Sequence, residues 1–505
     1  MLYHSTRDEK NKKTGAEALL QGLAPDGGLY VPDYFPQLCW DDFSHCSYEE
    51  LASLILSLYF TDFSQEDLRD MVRAAYGNGF DDPALSPVHF IKDDLGFLEL
   101  FHGPTLAFKD MALSILPYLM KAAQSLLDDH RQRLILTATS GDTGKAAMEG
   151  FAGVEGMGVL VFYPDQGVSP MQERQMLTQA EANVRADAVQ GNFDDCQREV
   201  KRLFEDQELI EELKQKGVAL SSANSINIGR LIPQIVYYFD GYRQWVQSGK
   251  IRKGEDLNVI VPTGNFGDVL AAFYAREMGL PLGKIAVASN DNKVLYDFSN
   301  TGTYDANREL ILTSSPSMDI LISSNLERYL YLKEGNAEKI RQKMEDLRKK
   351  GQFDFPKEAL YPSSWAREEE TTLAIEKVFT RDHYLMDPHT AVAYVAANKL
   401  ELDSPLMIVS TASPFKFPGK ILRALGRDVP DHWMDQVKGI AQAAMIDLPQ
   451  PVKKMFACES REKRVIALEQ MKEEVRYAGS GKGFVLGYDS ILSRPLYNIN
   501  RYRYS

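Results

Sequence analysis

The sequence predicts an α/β fold, with open and mostly parallel sheets carrying helices on both faces, and a mainly helical N-terminal domain in front. Three observations predict it. Five short apolar runs recur, Leu134-Ile135-Leu136, Val159-Leu160-Val161-Phe162, Val259-Ile260-Val261, Ile285-Ala286-Val287 and Met407-Ile408-Val409, with the texture of strands buried on both faces. Each of the first four leads into a polar or glycine turn and then, in most cases, a helix-like stretch, the βα alternation of a parallel sheet. Ahead of them, residues 48–76 place apolar side chains at helical rather than strand spacing.

In chain order, residues 16–23 read as a short helix closed by the turn Pro25-Asp26-Gly27-Gly28, before Leu29-Tyr30-Val31. Leu51, Leu54, Leu56 and Leu58 mark the next helix, and a further one covers Leu68 to Tyr76. The Pro and Asp cluster at 81–87 reads as a linker, and Met111 to Met120 as a helix. Ile228, Leu231, Ile232, Ile235, Val236 and Phe239 mark the buried face of a long helix, and Val269 to Arg276 forms another. The charged stretch 333–350 reads as a solvated helix. The tail 460–505 begins as helix and ends rich in Tyr and Arg.

Length and composition bound the function. With 505 residues, two or three domains are expected. A net charge of −14 argues against a nucleic-acid or anionic-membrane surface, though a local basic pocket stays open. Cys39, Cys46, Cys196 and Cys458 show neither a disulfide framework nor a zinc spacing, so reduced thiols in the cytoplasm are the simplest expectation. No window approaches eighteen uninterrupted apolar residues, and the start of the chain has no apolar signal core. His102 and His389 have no partners at metal-ligand spacing, and no metal is expected.

Five polar segments carry chemistry. In His102-Gly103-Pro104-Thr105-Leu106-Ala107-Phe108-Lys109-Asp110, a lysine sits behind three apolar residues. Burial penalises the charged amine and lowers its pKa, which is what a Schiff-base lysine needs. Read alone, it is more simply the first residue of a helix with its head in water. Thr139-Ser140-Gly141-Asp142-Thr143-Gly144 follows a strand and opens a helix. There small residues let backbone N–H groups approach an anion, and Ser140 and Thr143 add hydroxyls suited to a carboxylate. It is not a Walker A loop, because Thr139 replaces the first glycine and Ala146 the magnesium-binding hydroxyl.

Pro262-Thr263-Gly264-Asn265-Phe266-Gly267-Asp268 repeats this logic, and its N–H groups form a nest suited to a phosphate. Asn224, Ser225 and Asn227 cluster at the start of the long helix, with Arg230 about one turn in, a donor set for a second phosphate. Thr411, after the strand at 406–410, offers a neutral hydroxyl to a ring nitrogen. Each segment also has a plain reading as a cap or turn; Asp387-Pro388-His389-Thr390 reads first as one, with Asp at the N-cap and Pro at N1.

Together these segments resemble the threonine synthase family, pyridoxal-phosphate enzymes of fold type II with a tryptophan synthase beta-like core. The likeness extends to Tyr3-His4-Ser5-Thr6-Arg7, Leu23 to Pro32, Ser315-Pro316-Ser317-Met318-Asp319-Ile320 and Asp387 to Val392. It departs at Ser413-Pro414, where the family usually has His-Pro, while Thr411, Lys416 and Phe417 still match. The resemblance implies that Lys109 carries pyridoxal 5'-phosphate as a Schiff base. Gly264, Asn265, Phe266, Gly267 and Asp268 then form its phosphate loop, and Thr411 faces its ring nitrogen. Ser140 and Thr143 bind the substrate carboxylate, and Asn224, Ser225 and Arg230 its phosphate.

The implied reaction turns O-phospho-L-homoserine and water into L-threonine and phosphate. The alternative is a phospholyase outcome ending in 2-oxobutyrate and ammonia. The implied partner is a small molecule, and the expected assembly a monomer or homodimer. The expected domains are 1–88, mainly helical; 89–255, with Lys109 and a smaller mobile substrate subdomain; 256–430, the large cofactor domain; and 431–505, an extension packing on the large domain.

Overall fold

The computed structural model describes residues 1–77, 79–139 and 141–480. Two sheets organise it. The larger has six strands in the spatial order Ser363–Trp365, Leu282–Ser289, Leu257–Pro262, Leu406–Ser410, Leu95–Glu99 and Val88–Lys92. All neighbours are parallel except the last pair, an antiparallel hairpin at the edge. The smaller sheet has five parallel strands in the order Val465–Ala467, Val184–Gln190, Met157–Pro164, Gln132–Ala138 and Val218–Ser221.

All five apolar runs lie inside strands, and side-chain alternation explains why each is apolar throughout. Val259, Val261, Ile285, Val287, Met407 and Val409 face one core, shared with the long helix Ile228–Gln247 and the N-terminal helices. Ile260, Ala286, Ala288 and Ile408 face a second core with the helix Pro388–Lys399. In the smaller sheet, Leu134, Leu136, Leu160 and Phe162 pack against a third cluster, which includes Leu203, Leu209, Leu213 and Val475. Burial on both faces makes an apolar side chain favourable at every position of these runs.

The helices follow local chemistry. Thr14 and Glu17 form a capping box before Gly15–Gln21, and Ser47 and Glu50 another before Tyr48–Tyr59. Ser64 caps Gln65–Tyr76, so the helical stretch 48–76 is two helices. The segment Met111 to Met120 is likewise divided, into Asp110–Leu113 and Leu116–Leu126, with Pro117 in the first turn of the second, where a proline is tolerated. The charged helix is Ala337–Lys350, buried chiefly through Ala337 and Ile340. Asp387 caps Pro388–Lys399 by accepting the N–H groups of His389 and Thr390.

Tertiary pairing corrects the expected boundaries at two places. Val88–Lys92 and Leu95–Glu99 belong to the larger sheet, because Leu95–Glu99 runs parallel to Leu406–Ser410 in register from Leu95 to Glu99. The segment after residue 431 does not pack on one domain only. Val452 and Met455 join the core of the larger sheet, but Val465–Ala467 extends the smaller one, and Arg476 pairs with Glu212 in the helix Gln207–Gln215. The Tyr- and Arg-rich run at 481–505 lies outside the described residues.

A candidate cofactor site between the two sheets

The polar segments sit at the carboxyl ends of strands, where an open α/β sheet places its ligands. Thr411 follows Leu406–Ser410, the Gly264 loop follows Leu257–Pro262, and the Thr139–Gly144 loop follows Gln132–Ala138. The lysine segment is zipped onto Thr411: Phe108 donates its N–H to the Thr411 carbonyl at 2.9 Å, Ser413 donates to the Leu106 carbonyl at 3.0 Å, and Ala107 bridges Ala412. Leu106 takes φ +62° to make the turn. Lys109 therefore opens a helix, as its plain reading holds, but its head is not in water. It is 9% exposed.

Burial holds the Lys109 amine below its ordinary pKa; Asp142 opposes that shift, and the cations Lys416 and Arg230 reinforce it. Nζ lies 3.5 Å from Asp142 Oδ2 and donates to Ser317 Oγ at 3.4 Å. Asp142, the first residue of the helix Asp142–Phe151, is the centre of a charge cluster. Its Oδ1 accepts from Lys416 Nζ at 2.8 Å and Gln172 Nε2 at 3.0 Å, and its Oδ2 accepts from Ser317 Oγ at 3.2 Å. Although burial alone would raise it, the two lysines hold this carboxyl far below the usual range. Ser317 also donates its N–H to His389 Nε2 at 3.2 Å, while His389 Nδ1 meets Asp387 Oδ2 at 2.6 Å. With Nε2 accepting, Nδ1 carries the proton.

The Gly264 loop is a second cluster. Phe266 is left-handed at φ +62°, its ring held against Tyr329 and Tyr361, and it starts the helix Gly267–Glu277. Gly264 lies so close to Ser317 that an added Cβ would stand 2.3 Å from the Ser317 carbonyl oxygen. The loop's carbonyls are tied outward: Ser323 Oγ donates to Gly264 O at 2.6 Å, and Asn325 donates to Asn265 O through its N–H at 3.0 Å and its Nδ2 at 3.1 Å. The N–H groups of Asn265, Phe266 and Gly267 donate to no acceptor among the described residues. Asp268 accepts at Oδ1 from Tyr237 and Tyr238, each at 2.6 Å, while its buried Oδ2 has no partner among the described residues. Burial pushes this carboxyl up to about 6, against the pull of both tyrosines and Lys109.

Asn325 joins this loop to the Asn224–Arg230 segment, since its Nδ2 also donates to Ser225 O at 3.2 Å. Arg328, fully buried, fixes both by donating to Ile226 O at 2.6 Å and to Asn325 Oδ1. Asn224 Oδ1 lies 3.5 Å from Thr137 Oγ1. Arg230 is 2% exposed; its Nη1 donates to Ala223 O at 2.7 Å, its Nε has no partner, and burial lowers its pKa to about 10. No carboxylate pairs with it among the described residues. A buried guanidinium left in that state calls for an anion.

The Thr139–Gly144 loop departs from its sequence reading. Thr139 Oγ1 accepts from both Gly141 N–H at 2.9 Å and Gly144 N–H at 3.1 Å, so these donors are already taken. Thr143 is half-buried beside Asp142; Ser140 lies outside the described residues.

The structure thus brings Arg230 and Asp268 into charge range of Lys109, and Thr411 into backbone contact with the lysine segment. Asp142, Ser317, Gln172 and Asn325 were missed as site residues. Asp142 and Ser317 lie inside quoted motifs, but nothing local marks them as partners of a lysine far away in sequence. A buried lysine, a helix start with free N–H groups and a buried guanidinium without a carboxylate partner among the described residues match what the class of fold type II pyridoxal-phosphate-dependent enzymes requires.

The comparisons narrow the class. Residues 2–76 match the family model for the threonine synthase N terminus, 90–411 that for pyridoxal-phosphate dependent enzymes, and 390–477 that for the threonine synthase C-terminal region. Threonine synthase of Saccharomyces cerevisiae is 36% identical over 84% of this chain and 89% of its own length. Threonine synthase-like 1 of Homo sapiens is 40% identical over 81% of this chain, and the chain spans 58% of that protein's length. The crystal structure of PLP-bound threonine synthase from Brucella melitensis is similar at a TM-score of 0.84, with 35% identity, covering 95% of this chain and 99% of that one. The chain belongs to the threonine synthase family.

Proposed function

We propose that this chain holds pyridoxal 5'-phosphate on Lys109 and converts O-phospho-L-homoserine and water into L-threonine and phosphate. The observation that carries this reading is the buried Lys109 amine, its pKa held below the ordinary value, in charge range of Arg230, a cation with no carboxylate partner among the described residues. The free N–H groups of Asn265, Phe266 and Gly267 fit the cofactor phosphate through hydrogen bonds and the helix dipole. Thr411 offers the ring nitrogen a neutral hydroxyl. Ser140 and Thr143 take the substrate carboxylate, and Asn224, Ser225 and Arg230 its phosphate.

The bound ring supplies an electron sink for charge that develops beside the substrate nitrogen. Lys109 Nζ takes the α-proton and then a β-proton, as general base. Arg230 neutralises the phosphate as the Cγ–O bond breaks and the electron pair left at Cβ forms a Cβ–Cγ double bond. One of the two protons is then returned to Cγ, water adds its hydroxyl at Cβ, and the other proton is returned to Cα. Two anion receptors at fixed separation select the phosphorylated amino acid over homoserine, because an unfilled polar site is costly to leave unpaired. We place this chemistry in the cytoplasm, in a monomer or homodimer.

The test is to incubate the chain with O-phosphohomoserine and identify the product by NMR. Threonine is expected; 2-oxobutyrate without threonine overturns the reading in favour of a phospholyase. Lys109→Ala should abolish both turnover and the visible cofactor absorbance. Arg230→Ala should raise KM for the phosphorylated substrate about a hundredfold, a loss of about 2.7 kcal/mol, and leave the cofactor spectrum unchanged. Loss of the spectrum instead assigns Arg230 to the cofactor phosphate.

A further inference from the structure

One carboxylate, Asp142, faces two lysines from opposite sides of the site. Lys416 Nζ meets its Oδ1 at 2.8 Å, and Lys109 Nζ lies 3.5 Å from its Oδ2. Lys416 comes from the short turn Pro414–Lys416, just past Thr411 and the larger sheet, whereas Asp142 opens a helix of the smaller sheet. Lys416 is 0% exposed, and its other bond is to the Thr105 carbonyl at 2.9 Å, within the lysine segment itself. A lysine wholly removed from water is there at the cost of its hydration, and only its partner offsets that.

We propose that Lys416 is a positioning residue: it holds and neutralises Asp142, pinning the substrate loop to the larger sheet and keeping that carboxylate from stabilising a proton on the Lys109 nitrogen. With Lys416 in place, Asp142 divides its charge between two cations. Without Lys416, the carboxylate has Lys109 as its one remaining lysine partner, and the Lys109 nitrogen becomes more basic. The other groups facing that nitrogen are Arg230 from the long helix and Asp268 from the helix after the Gly264 loop. His389 lies one hydrogen bond further out, beyond Ser317. Asp110, next in the chain, turns to the Thr105 hydroxyl and N–H at 2.6 and 2.8 Å. None of these bonds Asp142, so none replaces Lys416.

The inference rests on Lys109 as the cofactor lysine, and the experiment separates the two ideas. The pH midpoint of the visible cofactor absorbance is titrated in the holoenzyme, alongside the acid limb of kcat/KM. Lys416→Met should move both upward by about one pH unit, Asp142→Asn should move them down, and Lys416→Arg should leave them in place. The double variant, Lys416→Met with Asp142→Asn, should bring the midpoint back toward the parent value. A folded Lys416→Met protein with an unmoved midpoint overturns the proposal. If that variant does not fold, Asp142→Asn decides: a downward shift supports the proposal and no shift overturns it. Visible absorbance that survives Lys109→Ala sinks the cofactor assignment instead.

Discussion

Two loops, Gly264–Asp268 and Thr139–Gly144, look alike in sequence: each follows a buried strand, carries two glycines and an aspartate, and opens a helix. Folded, they are opposites. The first leaves its N–H groups free and ties its carbonyls outward to Ser323 and Asn325. The second fills two N–H groups with the Thr139 hydroxyl and turns its own carboxylate, Asp142, toward Lys416 and Lys109. A glycine-rich turn at a helix start is therefore an anion receptor only where the protein has not already satisfied it. On the proposed function the difference also separates tasks: a standing nest suits a cofactor that stays, and a charge-latched loop suits a substrate that comes and goes.

The largest expected effect breaks the first loop. Gly264→Ala puts a methyl group 2.3 Å from a backbone oxygen of Ser317, which cannot rotate away as a side chain would. Cofactor affinity should fall by about a hundredfold or more, about 2.7 kcal/mol, read by titrating the cofactor-free chain with pyridoxal phosphate. Retained affinity would mean that the nest does not depend on this contact.

A second effect tests the orphaned oxygen of Asp268. Its carboxyl titrates at about 6 when folded and near 3.8 when unfolded, so between those values the folded chain holds the extra proton. Stability of the cofactor-free chain should therefore decline as pH rises from about 4 to 6, by up to about 3 kcal/mol from this group. Asp268→Asn keeps an acceptor for Tyr237 and Tyr238 and should flatten that part of the urea-denaturation profile. An unchanged slope would remove Asp268 as its source.

The smallest effect belongs to the second loop. Thr139→Val keeps the shape but deprives Gly141 and Gly144 of their shared acceptor, at an expected cost of about 1–2 kcal/mol in stability. The same change frees two N–H groups, so KM should move while the cofactor spectrum does not. A spectral change would show that the two loops are less separate than their hydrogen bonds indicate.

Much of this molecule was legible from the chain. Both-face burial wrote the five inner strands as apolar runs, and Ser, Thr and Asp caps marked helix starts. The motif around Lys109 and the resemblance named Lys109, and with it Asp268 and Arg230, which lie in charge range of the lysine. Other elements were not legible, for stated reasons. Leu95–Glu99 contains a glycine and takes its place from pairing with Leu406–Ser410. Val184–Gln190 mixes polar with apolar residues because buried Asp187 bonds Arg185 and faces Arg464. Val465–Ala467 is too short to announce itself.

The sequence by itself determined the α/β class, the order of βα units and the chemistry stored at their turns, because strand burial, capping and glycine turns are local. Only the tertiary structure decided that the five apolar strands divide between the two larger sheets. It alone showed that Lys109 is dry, that Arg230 lacks a carboxylate partner among the described residues, and that Asp142 belongs to Lys416. Those outcomes depend on which charges meet across hundreds of residues and how much water they lose on meeting, and neither quantity is written in any one segment.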